Sequence, residues 1–136
     1  MAKQTNDYKY TGRSGGVVAL TTSMQDIAVG GAEGSDVTEF TVVLNGATPR
    51  SVTIEISDGT DTAIILLVSV AANSGNSTTN PGVDLINGGS ISGISQLPGV
   101  ELIGTVNIYP LPFGMKLRAK QDTGTDCSIV FKMKDY

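Results

Sequence analysis

The stretch LPGVELIGTVNIYPLPFGMKLRAKQDTGTDCSIVFKMKDY, Leu97 to Tyr136, decides the fold class. A strand pattern runs into Pro110-Leu-Pro-Phe-Gly114, and two more alternating segments follow. Met115, Leu117 and Ala119 point one way, and Lys116, Arg118 and Lys120 the other. Cys127, Ile129, Phe131 and Met133 repeat the pattern against Ser128, Val130, Lys132 and Lys134. Successive side chains of a strand point to opposite faces, so this period of two predicts sheets with one dry and one wet face. The stretch holds no group arranged for chemistry.

Working outward, the rest of the chain agrees. Val17–Thr21 and Ile27–Val29 read as short strands, and Val37–Leu44 as a longer one with Phe40, Val42 and Leu44 on one face. In Ser51–Ser57, Val52, Ile54 and Ile56 alternate with Thr53, Glu55 and Ser57. Asp58-Gly-Thr-Asp-Thr62 and then Ala63–Val70 complete a hairpin signal. In that last strand Ile64, Leu66, Val68 and Val70 fall on one face, but Ile65 and Leu67 make the other face apolar too. Continuous apolar runs mark strands covered on both faces, so Ile65 and Leu67 are expected beneath another segment or another subunit. No stretch sustains a helical apolar period.

The 136 residues suit one domain with a real core. Hydrophobic content of 40% with only 16% charged residues excludes a disordered or fibrous chain, and the sparse charge hints that part of the surface is covered. A net charge of −4 gives no general case for nucleic-acid binding. The start, Met1-Ala-Lys-Gln-Thr-Asn-Asp7, is too polar for a signal peptide, and no apolar run approaches a membrane span. Synthesis in a reducing cytoplasm is therefore expected.

Missing residues exclude mechanisms. With no His, the Ser-His-Asp and Cys-His systems, His metal sites and His proton shuttles fall away. A single cysteine, Cys127, makes neither an internal disulfide nor a multi-cysteine zinc site, and its place on an apolar strand face reads as core. An intermolecular disulfide or a reactive thiol is the alternative. Asp58-Gly-Thr-Asp61 lacks the ligand run of a calcium loop and reads as a self-capped turn, as do Asp122 and Asp126. The chain is thus expected to be no enzyme, with no catalytic, metal or cofactor-binding residues.

Three features point to surface contact. Residues 1–16 are polar, with Tyr8, Tyr10 and Arg13 interleaved and a Gly15-Gly16 hinge. They read either as a frayed terminus or as an arm ordered on a partner. Residues 71–99 form a long Gly/Ser/Asn-rich loop dotted with Val83, Leu85, Ile86, Ile91, Ile94 and Leu97, expected to pack on the domain or on a neighbour. No Lys or Arg occurs between Ser51 and Met115, whereas Lys116, Arg118, Lys120, Lys132 and Lys134 follow. If the last two strands pair as a hairpin, these five cations share one outward face. That face is either a solubilising, edge-protecting surface or a docking stripe for an acidic partner.

The order of elements resembles small β-sandwich structural proteins of tailed-phage virions. The likeness lies in the Asn45-Gly46 turn, the SVTIEISDGTDTAIILLVSV hairpin (51–70), the long loop, the YPLPFGMKLRAK entry (109–120) and the terminal strand. Met115 stands where such proteins often carry a charge after the glycine. The resemblance implies a capsid decoration or cement protein, or a neck or tail component, and implies no catalytic residue. It further implies partners among the major capsid protein or other virion proteins, a location in the virion, and self-association as a trimer or other cyclic homo-oligomer. Neither nucleic acid nor membrane is an expected partner. A fibre-associated structural protein is a further alternative; a carbohydrate- or ligand-binding sandwich module is the competing class, disfavoured by the absence of Trp, and a carboxylate-based hydrolase is the third, with no pocket signature.

The expected architecture is all-β. It is a single jelly-roll-like or Ig-like β-sandwich of about eight strands spanning 17–136, preceded by the arm 1–16. The interface candidates are Tyr8, Tyr10, Arg13, Ile65, Leu67, Lys116, Arg118, Lys120 and Lys132.

Overall fold

A computed structural model describes residues 12–88 and 96–136, the side chain of Arg13 excepted. Tyr8, Tyr10, Ile91 and Ile94 lie outside the described residues. Ten strands and no helix are present among them: β1 Gly12–Ala19, β2 Gln25–Val29, β3 Ser35–Leu44, β4 Arg50–Ser57, β5 Thr62–Val70, β6 Val83–Asp84, β7 Glu101–Ile103, β8 Val106–Leu111, β9 Lys116–Gln121 and β10 Cys127–Asp135. Two antiparallel sheets form a sandwich. One runs β1-β10-β3-β8-β7 with β6 also on β3, the other β2-β9-β4-β5.

The core lies between the sheets, where the alternation placed it. Phe40, Val42 and Leu44 from β3 and Cys127 and Ile129 from β10 meet Val52 and Ile54 of β4, Val68 and Val70 of β5, and Leu117 and Ala119 of β9. All are essentially buried. Burying an aliphatic side chain of this size stabilises by roughly 1.5–3 kcal/mol, so the period-two pattern is itself the main organising force. Cys127 is fully buried, and its amide N–H donates to Gln121 Oε1 at 2.9 Å. Burial pushes its thiol up to about 11, so at neutral pH it is an inert core residue.

Four expectations are corrected by the topology. β9 and β10 do not pair: β9 sits between β2 and β4, and β10 between β1 and β3 in the opposite sheet. The five cations therefore lie on two faces turned away from each other. The second correction is β1, which begins at Gly12 rather than Val17. Gly12 to Gly16 are paired with Asp135 to Phe131, so the Gly15-Gly16 step is strand and not a hinge.

Thirdly, the pattern before Pro110 is two strands. Gly104, with φ at +65°, and Thr105 turn the chain between Ile103 and Val106. This is the two-residue hairpin loop that accepts glycine at its first position. β8 pairs with β3 only through Tyr109, Pro110 and Leu111. Beyond Val37, β6 and Leu85 take its place, Leu85 N–H donating to the Phe40 carbonyl at 2.9 Å. The β7–β8 hairpin consequently leaves the sandwich, and every residue from Glu101 to Val106 is exposed.

The fourth concerns β5. A bulge breaks the β4–β5 register: Ile54 faces Leu66 and Glu55 faces Ile64, leaving Ile65 as the extra residue. An inserted residue inverts the alternation beyond it. Ile65 and Leu66 both pack against the core, whereas Ile64 joins Leu67 on the outer face. The expected outward pair Ile65/Leu67 is in fact Ile64/Leu67.

The long loop packs on the domain over its described parts. Leu85, Ile86 and Leu97 are buried, Leu97 N–H donates to the Leu85 carbonyl at 2.8 Å, and Gln96 Nε2–H donates to the Ile86 carbonyl at 2.8 Å. The end of the chain is held where Ser35 Oγ–H donates to Asp135 Oδ1 (2.6 Å) and the Tyr136 hydroxyl donates to buried Asp36.

Candidate interaction surface

The outer face of the four-stranded sheet holds the β9 part of the expected basic stripe. Lys116 and Arg118 project from β9 toward β2, where Asp26 accepts from Lys116 Nζ (3.1 Å) and from Arg118 Nε (2.8 Å). Arg118 Nη1 reaches across to Glu55 Oε1 on β4 at 2.7 Å. The hydrogen bond from Lys116 holds the Asp26 carboxyl below the usual carboxylate range, assisted by Arg118 and opposed by partial burial. The bonds to Glu55 and then Asp26 raise Arg118 further above neutrality. Lys120 is half-buried, opposite Thr53. Lys116 and Arg118 are thus already matched within the sheet, an ion-pair network that leaves less free positive charge on this face than the residue count suggests.

On the other sheet, Lys132 is exposed and lies 3.4 Å from Glu39 Oε1, and Lys134 is partnered as well. Arg13 is opposite Lys134 in the β1–β10 register. A shallow, open trough of about 570 Å³ runs along this face, lined by Ser14, Gly15, Gly16, Val17, Val130, Phe131 and Lys132. It is too open to exclude water from a reacting group.

The acidic residues serve turns, as their spacing suggested. Asp58 Oδ1 accepts from the N–H groups of Asp61 (2.7 Å) and Thr60 (2.9 Å). Asp122 accepts from the N–H groups of Ser51 and Thr123, and Asp126 makes a two-pronged pair with Arg50 at 3.0 and 3.1 Å. All three carboxyls are held below their ordinary values by these bonds, the reverse of what a general acid needs. Among the described residues no cluster of three metal-ligating side chains occurs.

What stands out instead is uncovered apolar surface. Leu67 is 69% exposed and Ile64 62% on β5, while Leu102 is 67% exposed on β7 with Ile103 and Val106 beside it. These five are most of the large exposed apolar side chains among the described residues, the others being Val17, Val29 and Phe113. β5 lies over β3, whereas β2 lies over β10. β8 and β7 continue from β3 on the side away from β10. The bare β5 edge and the projecting hairpin therefore bound the same side of the sandwich. The sequence pointed to Leu67 but missed the hairpin, whose signal was the Gly104-Thr105 turn, and missed Ile64, which the bulge turned outward.

No family model matches the chain, and no curated protein matches it. Among solved structures, two crystal structures of a pentameric capsid protein isolated from metagenomic phage sequences are similar to it. Each is 15% identical over 90% of this chain, with TM-scores of 0.39 and 0.40. The chain spans 60% and 61% of the length of those proteins.

Proposed function

We propose that this chain is a non-enzymatic structural protein of a phage virion, a decoration or cement protein that binds and stabilises the head shell. The observation that carries the reading is the concentration of exposed aliphatic side chains on β5 and the β7–β8 hairpin, along one side of a well-packed sandwich. Exposed aliphatic side chains gathered on one side of a small domain are the kind of surface that a partner covers. Asp58, Asp122 and Asp126 hold turns, and Asp26 and Glu55 pair with Lys116 and Arg118, in keeping with a protein that works by surface contact. The virion setting rests on the sequence resemblance of the 51–70 hairpin and the 109–120 entry. The partners are the major capsid protein and further copies of the chain, arranged as a cyclic homo-oligomer.

The test is co-sedimentation of the purified chain with head shells assembled from the capsid protein of the same phage. Saturable binding at a fixed ratio, with a raised shell melting temperature, is expected. Binding to isolated necks or tails but not to shells would move the protein within the virion. A chain that stays in the supernatant with all three overturns the proposal.

A further inference from the structure

Of the four sheet edges, three are guarded. β2 is five residues long, broken by a bulge and charged through Asp26. β7 is three residues long and begins with Glu101. β1 carries Arg13. β5 differs: nine residues, TAIILLVSV, without a charge or a proline, lie at the end of their sheet with one row of main-chain groups unpaired by any strand among the described residues. Natural edges are protected by Lys, Pro, short length or bulges, and β5 has only the bulge at Ile65. Beyond that bulge, Leu66–Val70 is a regular strand.

We propose that this edge is a self-association site. Two copies pair β5 to β5, antiparallel about a two-fold axis, through Leu66–Val70, joining two four-stranded sheets into one of eight strands. The inference rests on the reading of the chain as an assembly protein and specifies one of its contacts. The occupant is a second copy because the segment is complementary to itself. It opposes no like charges when paired with its own sequence, and an isologous interface needs one patch serving both sides. The orientation follows from charge. The acidic turn holding Asp58 and Asp61 leads into β5, and β5 itself carries no Lys or Arg. Antiparallel pairing sends the two acidic turns to opposite ends, whereas parallel pairing sets them side by side.

Area sets a further requirement. A stable interface buries about 1,600 Å² in total, more than a five-residue strand pair supplies. The β7–β8 hairpin, on the same side of the sandwich, offers Leu102 and Val106 as the further apolar surface. The oligomer is thus built on a two-fold contact, and a trimer is not its primary unit.

The experiment is sedimentation-equilibrium mass measurement of the full chain and three single variants, each checked by thermal melting. The wild type is expected at twice the chain mass. Leu67→Lys and, separately, Ser69→Lys place cations on exposed outer positions of β5. Each should weaken dimerisation at least tenfold with an unchanged monomer fold. Val17→Lys, equally exposed but on β1 of the other sheet, should leave the dimer intact. A monomeric or trimeric wild type overturns the proposal, as do β5 variants that stay dimeric or a Val17→Lys variant that dissociates. None of these measurements needs a shell. A monomer that still co-sediments with shells defeats only this inference, and a dimer that binds no virion part defeats only the assembly reading.

Discussion

The two edges of the four-stranded sheet, β2 and β5, hang on the same central strands and were built by opposite rules. β2 is short, bulged between Asp26 and Ala28, and tied to β9 by the Asp26 pairs with Lys116 and Arg118. Its end is locked where Gly30 N–H donates to the Met115 carbonyl at 2.9 Å. β5 is nearly twice as long, uncharged, and shows Ile64 and Leu67 to water. The difference teaches that charge on this molecule is spent where an edge is to be closed and withheld where contact is available.

Four experiments break or sharpen that comparison. The largest effect is expected from Ile54→Ala. Ile54 is fully buried on β4, between β9 and β5, so both edges depend on it. Losing it should cost about 2–5 kcal/mol, seen as a lowered urea midpoint. A midpoint unchanged within error would mean that the two edges are held independently.

Gly30→Ala attacks the closed edge alone. A Cβ there would sit 2.1 Å from the Pro112 carbonyl oxygen, backbone that cannot swing aside. A loss of about 1–3 kcal/mol is expected from the forced shift, again by urea denaturation. Self-association through β5 should persist in this variant, because the strain falls at the far edge.

A smaller effect is expected on acidification. Asp26, Asp58, Asp122 and Asp126 all have carboxyls lowered from 3.8 by hydrogen bonds in the folded chain. A lowered folded value means that each contributes stability above the unfolded value and loses it as pH falls through the folded one. Melting temperature should therefore be flat from about pH 5 to 8, with no His to titrate there, and decline below about pH 4. A transition between pH 6 and 7 would contradict this assignment.

Least disruptive is Asp26→Ala. Arg118 keeps Glu55, and Asp26 is 44% exposed, so solvent already screens the pairs. A midpoint shift well below that of Gly30→Ala is expected, and it should vanish at high salt. With Asp26 gone, β2 loses its charge guard. New self-association of this variant in the Leu67→Lys background would show that charge was what kept that edge closed.

Much of the fold was legible in the residues, and the candidate surface was only half so. Leu117, Ala119 and Ile129 announced their inward faces by alternating with Lys116, Arg118 and Val130, and Asp58-Gly59 announced the β4–β5 turn. Leu67 stood out as an aliphatic residue on a face that should be wet, and it is exposed. Ile64 was hidden by one bulged residue, since alternation carries no mark of where a register slips. The hairpin was hidden because Leu102 and Ile103 before Gly104 and Val106 and Ile108 after it read as one strand, and a two-residue turn with a single glycine barely interrupts them. The basic stripe was legible as residues but not as a surface: its two halves belong to different sheets.

By itself, then, the sequence determined the all-β class, the inward positions and the tight turns, because side-chain alternation and turn chemistry act between near neighbours. Only the tertiary structure decided which strands share a sheet, which cations meet which carboxylates, and which edge is left bare. Those outcomes come from contacts between residues far apart in the chain, such as Ser35 with Asp135 or Asp26 with Arg118. Their partners are chosen by how the two sheets close over one core, a choice that no local pattern encodes.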